Sequence, residues 1–199
     1  MNKKIKCLGI AGSPRKGGNT ELLLNEALAG AAEAGADTEL IKLRYFRFAG
    51  CIGCDGCFKE GKCVVQDDMQ QVYQKLLTAD RIILAAPIFS MGMNAQAKAM
   101  VDRCQRFWST KYVLKCNVIE NADNRPPRKG FYISVAGSDL PRVFDGAEQV
   151  ARYFFKMLET EYLGSYMYKQ LDEKGAIRRQ PEALKEVREA GRGLVNLER

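Results

Sequence analysis

Four cysteines fall within thirteen residues, spaced Cys51-x-x-Cys54-x-x-Cys57-x5-Cys63. Three thiolates at three-residue intervals, with a fourth close behind, can wrap one compact inorganic cluster. The first three match the spacing of ferredoxin-type [4Fe–4S] ligands. Zinc more often draws two separated cysteine pairs and ranks second. A redox-active thiol pair is a further alternative. Glycines between the cysteines let the chain bend around inorganic sulfide.

A second chemical feature is Gly12-Ser13-Pro14-Arg15-Lys16-Gly17-Gly18-Asn19-Thr20. Backbone N–H groups at a helix start, with glycines and hydroxyls around them, make an anion site. Gly12 and Gly17 have Walker A spacing. However, Gly18 and Asn19 stand where that motif needs Lys and Ser/Thr, which excludes a P-loop triphosphatase. No GxGxxG is present, so a Rossmann dinucleotide site is not expected. A monophosphate held by Ser13, Arg15, Gly18, Asn19 and Thr20 fits better. A third segment, Pro87-Ile88-Phe89-Ser90-Met91-Gly92-Met93-Asn94, suits a flat aromatic ring, and Ala136-Gly137 ends an apolar run with residues small enough for close ring approach.

These segments must be positioned by regular structure. Ile5–Ala11, Arg81–Ala86 and Phe131–Ala136 are nearly continuous apolar runs, as strands buried on both faces should be. Thr38–Arg44 and Glu161–Tyr168 are mixed, as sheet edges should be. Helical apolar spacing starts at Asn19 or Thr20 and is stopped by Gly35. It recurs after Asp67-Asp68, over Asn94–Trp108, after Asp145 and after Pro181. Five strands alternating with five helices predict an α/β fold: a flavodoxin-like, doubly wound, five-stranded parallel sheet of order 2-1-3-4-5 with helices on both faces. That order brings the phosphate loop and the ring loop together at a crevice where the sheet's topology switches. The cysteine loop, residues 50–66, follows strand two and is expected on the same rim. Residues 111–129 form an excursion expected as a long loop. One domain over residues 1–199 accommodates everything.

Composition narrows the chemistry. The 199 residues include no histidine, which excludes Ser-His-Asp and Cys-His catalysis and any imidazole metal site. Seven cysteines are an odd number, and their clustering argues against a secreted disulfide framework. Neither a secretory signal nor an apolar run of membrane-spanning length is visible, so the chain is read as cytoplasmic and not membrane-bound. Thirty-one basic and twenty-four acidic residues leave a net charge of +7. The two signs are interspersed and no nucleic-acid motif appears, so a solvated basic surface is expected and nucleic acid is not an expected partner; the milder functional reading is attraction of an acidic redox partner or of a phosphorylated cofactor.

GSPRKGGNT, CIGCDGCFKEGKCVVQDDM, PIFSMGMNAQAKAMVDR and ISVAG, in this order, resemble the iron–sulfur flavoproteins, a branch of the flavodoxin-like NAD(P)H-dependent FMN reductase family. The resemblance covers roughly the first two-thirds of the chain. It implies one FMN and one [4Fe–4S] cluster per subunit in a homodimer or dimer of dimers, with the flavin near a subunit interface. By position, Ser13, Arg15, Asn19 and Thr20 would hold the phosphate. Pro87, Ile88, Phe89, Met91 and Gly92, helped by Ala136 and Gly137, would line the isoalloxazine. Cys51, Cys54, Cys57 and Cys63 would ligate the cluster. The expected function is an FMN-dependent oxidoreductase passing electrons between cluster and flavin, with ferredoxin as donor and a small-molecule acceptor. The alternative is an NAD(P)H-dependent FMN or quinone reductase without a functional cluster, using NAD(P)H as co-substrate. A non-catalytic zinc module that binds nucleic acid is a third reading, and it leaves both rim loops unexplained.

Overall fold

In the computed structural model, which describes residues 4–120 and 122–197, strands and helices alternate as the apolar runs predict. β1 (Lys6–Ala11) leads through the glycine loop into α1 (Asn19–Glu33), then β2 (Asp37–Lys42). The cysteine segment holds one short helix, α2 (Cys57–Glu60), before α3 (Met69–Thr78) and β3 (Arg81–Ala85). The next loop folds into an antiparallel ribbon, β4 (Ile88–Phe89) and β5 (Gly92–Met93), ahead of α4 (Ala95–Arg103) and α5 (Gln105–Trp108). β6 (Lys129–Val135), α6 (Asp145–Met157), β7 (Glu161–Tyr168) and α7 (Pro181–Asn196) follow. No helix among the described residues is long and apolar enough to cross a membrane.

The main sheet is parallel, in the order β2-β1-β3-β6-β7. With the short ribbon set aside, this is the expected 2-1-3-4-5. Period-two alternation distributes the strand side chains between two cores. Leu8, Ile10, Ile82, Leu84 and Tyr132 join residues of α3, α4 and α6 on one face. Cys7, Ala11, Ile83, Ala85, Phe131 and Ile133 join α1 and α7 on the other. Each fully buried Leu or Ile contributes about 1.5–3 kcal/mol. The edge strands β2 and β7 are only partly covered.

α1 and α7 touch backbone to backbone. A Cβ on Gly30 would lie 1.9 Å from the carbonyl oxygen of Arg188, and one on Gly191 would lie 1.9 Å from that of Ala27. Only glycine permits this crossing. Arg188 then pairs with Glu26 and Glu33 across the two helices.

One expectation is corrected. The single helix expected over Asn94–Trp108 is two, broken at Cys104. The Tyr73 hydroxyl donates to the Arg103 carbonyl at 2.8 Å, so Phe107 N–H turns instead to the Cys104 carbonyl at 2.9 Å. A π-helical turn, Ser109–Val113, continues the irregularity. The excursion 111–129, of which residue 121 lies outside the described residues, has neither α-helix nor strand over residues 114–120 and 125–128, yet it is packed down on the fold. Val118 and Ile119 are buried in the core. Arg125 donates to the carbonyls of Leu77, Thr78 and Ala79, and Arg128 to those of Leu76, Ala79 and Leu158. The C-terminal carbonyls of α3, which no helix can satisfy internally, are thereby capped by cations.

Candidate cofactor cleft and cysteine loop

The carboxyl ends of β1, β3 and β6 open into a cleft of about 380 Å³. Ser13, Arg15, Gly18, Asn19 and Thr20 line it from the glycine loop, Pro87, Ile88, Phe89 and Ser90 from the ring loop, and Val135 and Gly137 from the end of β6. Two loops distant in sequence thus share one space, as the strand order requires. The first-turn N–H groups of α1, at Asn19, Thr20 and Glu21, precede the first helical bond, Leu22 N–H to Gly18 O at 3.1 Å. They are donors without an intrahelical partner, at the positive end of a helix.

Not every expected residue forms a wall. Met91, in the turn of the β4–β5 hairpin and 47% exposed, and Gly92, the first residue of β5, lie outside the cleft walls. Ala136 is buried beneath the floor, its backbone bonded to Tyr168 and Leu171. The Asn19 side chain is turned away from the ligand space. Its Nδ2 donates to the carbonyls of Leu171 and Glu173, each at 2.9 Å, and its Oδ1 accepts from Ile177 N–H at 3.2 Å. This amide staples residues 171–177 over the cleft and leaves Asn19 its backbone N–H to offer.

The stapled loop supplies a wall that no motif announced: Leu171, Asp172 and Lys174. Arg15 Nη1 donates to the Asp172 carbonyl at 2.9 Å. Lys174 Cε lies 3.8 Å from where a Gly17 Cβ would be. Only topology could have pointed here, because a loop after β7 leaves the sheet at the same edge.

Glu21 would repel an anion were it free, but it is 4% exposed and paired. Burial alone would raise its carboxyl. Arg44 at 2.8 Å, Lys42 at 2.9 Å and Gly17 N–H at 3.0 Å outweigh that and hold it at about 2. The hairpin tip is strained. Ser90 and Met91 have φ of 48° and 64°, the left-handed pair of a type I′ turn where Asn-Gly is usual.

The cysteine loop is built differently. Cys51, Cys54, Cys57 and Cys63 line one small cavity of about 40 Å³ with Val64, Arg103 and Arg106. Arg103 holds both ends of the loop, donating to the Ala49 carbonyl at 3.1 Å and, through two nitrogens, to the Asp67 carboxylate at 2.7 and 3.1 Å. Arg106 Nε donates to Gly61 O and Ser109 Oγ to Cys57 O, both at 2.9 Å. Gln70 Nε2 donates to the Val65 carbonyl at 2.7 Å. Burial, partly opposed by the Ser109 hydroxyl, pushes the Cys57 thiol up from its ordinary value, and the thiols of Cys51 and Cys63 add to the rise.

Among the described residues no three Cys, Asp or Glu converge on one ion-sized point. Four cysteines nevertheless line one cavity, and thiolates are the donor type that an iron–sulfur cluster takes. The remaining cysteines differ. Cys7 and Cys104 are buried and Cys116 is exposed. The expectation that the loop lies on the cleft's rim needs correction. Asn94, at the start of α4, donates to Gly12 O at 2.7 Å, whereas Arg103 at its end faces the cysteines. The cleft borders the start of this helix and the cysteine cavity its end, and Asn94 and Arg103 are roughly 13–14 Å apart along the axis at 1.5 Å per residue.

A sequence profile described as NADPH-dependent FMN reductase matches residues 5–138. The chain belongs to the NADPH-dependent FMN reductase family. An iron–sulfur flavoprotein of Methanocaldococcus jannaschii is 46% identical over 99 residues, covering 50% of this chain and 51% of that relative. One of Methanosarcina thermophila is 39% identical over 114 residues, covering 57% and 60%. The chain thus spans little more than half the length of these relatives. Among solved structures, a flavone reductase superposes with a TM-score of 0.71 at 22% identity, covering 96% of this chain and 62% of that one. An NAD(P)H:quinone oxidoreductase from Methanothermobacter marburgensis superposes at 0.68 and 16% identity, covering 96% and 100%. These two establish the shared fold. The FMN reductase match includes both rim loops and all four loop cysteines; the wall at 171–174 lies beyond it.

Proposed function

We propose that this chain is an FMN-dependent oxidoreductase whose flavin occupies the cleft and whose cysteine loop holds a [4Fe–4S] cluster. One observation carries the reading: two unlike walls meet in one cleft. The first turn of α1, with Ser13, Arg15 and Lys174 beside it, suits a phosphate dianion, and Pro87, Ile88 and Phe89 suit a flat ring. Gly18, Asn19 and Thr20 would meet the phosphate through backbone N–H groups. Ser90 and Gly137 would border the ring, with Ala136 below it and Met91 and Gly92 at its outer edge. Bound FMN supplies a centre that accepts one electron or two, which couples a one-electron donor to a two-electron acceptor. The net charge of +7 favours an acidic donor such as ferredoxin, with a small molecule as acceptor. A homodimer or dimer of dimers belongs to the same reading, since Phe89 is 46% exposed at the mouth of the cleft. So does a reducing cytoplasm, where seven free cysteines persist.

The test is an absorbance spectrum of anaerobically purified protein, with iron, sulfide and flavin assayed on the same sample. Flavin bands over a broad shoulder, with about four iron per subunit, are expected. Protein without flavin sinks the reading. Flavin without iron selects the second reading, an NAD(P)H-dependent FMN or quinone reductase, which the family match to NADPH-dependent enzymes favours. In that case NADPH bleaches the flavin rapidly with no ferredoxin present.

A further inference from the structure

Arg103 and Arg106 both line the cysteine cavity, but only Arg103 has a carboxylate, Asp67. Arg106 is partly buried and forms no ion pair among the described residues. Its guanidinium carbon lies 4.8 Å from the ring centroid of Tyr73 and 5.0 Å from that of Phe107. Its Nε is spent on Gly61 O. On its other side it borders an open groove that carries Glu60 and Glu120 along with Lys62 and Arg125, and neither acid pairs with it. A guanidinium drawn out of water is costly without an anion, and two aromatic faces offset only part of that cost. The groups this cation can serve are the four cysteines lining the same cavity, which carry negative charge once they ligate a cluster as thiolates.

We propose that Arg106 is the fixed counter-cation of the [4Fe–4S] cluster and that it raises the cluster's reduction potential. The inference rests on the reading of the cysteine loop given above. One-electron reduction adds one negative charge to the cluster and takes one electron from the donor, with no bond made or broken. A cation held beside the cluster stabilises the reduced form more than the oxidised form. The Gly61 carbonyl and the two rings hold this cation in place. A guanidinium also keeps its charge at every relevant pH. Arg103, already neutralised by Asp67, contributes much less.

The test is an anaerobic redox titration followed by electron paramagnetic resonance on wild type, R106Q and R106K, with dithionite as reductant and iron and flavin measured beforehand. In R106Q the cluster's equilibrium should move about tenfold toward the oxidised form, a midpoint about 59 mV lower for one electron. R106K should recover most of the shift, and the flavin midpoint should stay put in both. An unchanged cluster midpoint in R106Q at full iron content overturns the proposal. Should R106Q fail to assemble a cluster, assembly in R106K supports a requirement for charge. Failure in both makes Arg106 a packing residue and overturns the proposal. Wild-type protein without iron overturns the underlying reading of the cysteines, and the iron assay shows this before any titration.

Discussion

The cleft and the cysteine loop are made by different means. The cleft is bounded by the ends of strands whose register is locked, for example Ile10 opposite Leu84 and Ala85 opposite Ile133. Its anion donors are backbone groups that α1 cannot form without exposing. The cysteine loop contains one four-residue helix, α2, and hangs from side chains: Arg103, Arg106, Ser109 and Gln70 all donate to its carbonyls. Topology builds the first site before any ligand arrives. The second is tethered at a few points and left to be completed by what it binds. The two sites should therefore fail independently.

The largest expected effect comes from Asp67→Ala. It strands the Arg103 guanidinium, whose side chain is 1% exposed. Breaking a buried pair costs about 3–5 kcal/mol. Iron should be lost while the flavin-to-protein ratio holds; loss of both together would break the comparison. Cys54→Ala should likewise abolish the broad cluster absorbance and leave the flavin bands. If both cofactors survive, the ligand assignment is wrong.

On the cleft side, Asn19→Ala removes three hydrogen bonds to residues 171–177. At about 1 kcal/mol each, the loss totals about 2–3 kcal/mol. FMN dissociation, followed by flavin fluorescence, should weaken by tenfold or more with iron content unchanged. Lys174→Gln is subtler: FMN should bind several-fold more weakly and riboflavin as before, because only FMN carries the phosphate charge. Equal weakening of both flavins would assign Lys174 to packing. The smallest effect is on acid stability. The Glu21 carboxyl is lowered from 4.5 to about 2 in the folded chain. Its contribution is therefore complete above pH 4.5 and is lost as pH falls toward 2. Urea unfolding at pH 3 and pH 6 should differ less in Glu21→Gln than in wild type.

Much of the fold was legible because burial on two faces differs in composition from burial on one. Ile82–Ala85 has no exposed position, whereas Glu161–Tyr168 mixes covered and open ones, and that contrast ordered the strands. Three walls of the cleft follow from strand ends alone. The fourth does not, because Asn19 reaches Leu171 across 152 positions and no local pattern encodes such a pairing. The broken helix at Cys104 escaped for the same reason, its cause being the hydroxyl of Tyr73 thirty residues earlier. Arg125 and Arg128 carried no signal of their role, because nothing in a sequence tells a solvated arginine from one that caps a distant helix.

The Gly30–Gly191 crossing bears on how the protein is made. The helix whose first turn offers the anion donors packs on a helix about 160 positions later. At ribosomal speeds of about 5–20 residues per second, roughly ten to thirty seconds separate the emergence of the two. During that interval α1 has no covering partner, and residues 171–177 have not closed over its end. Contacts so distant in the chain form late and slow the search for the native state. Cofactor uptake therefore follows the synthesis of α7, and a nascent chain short of it presents the glycine loop without the cleft.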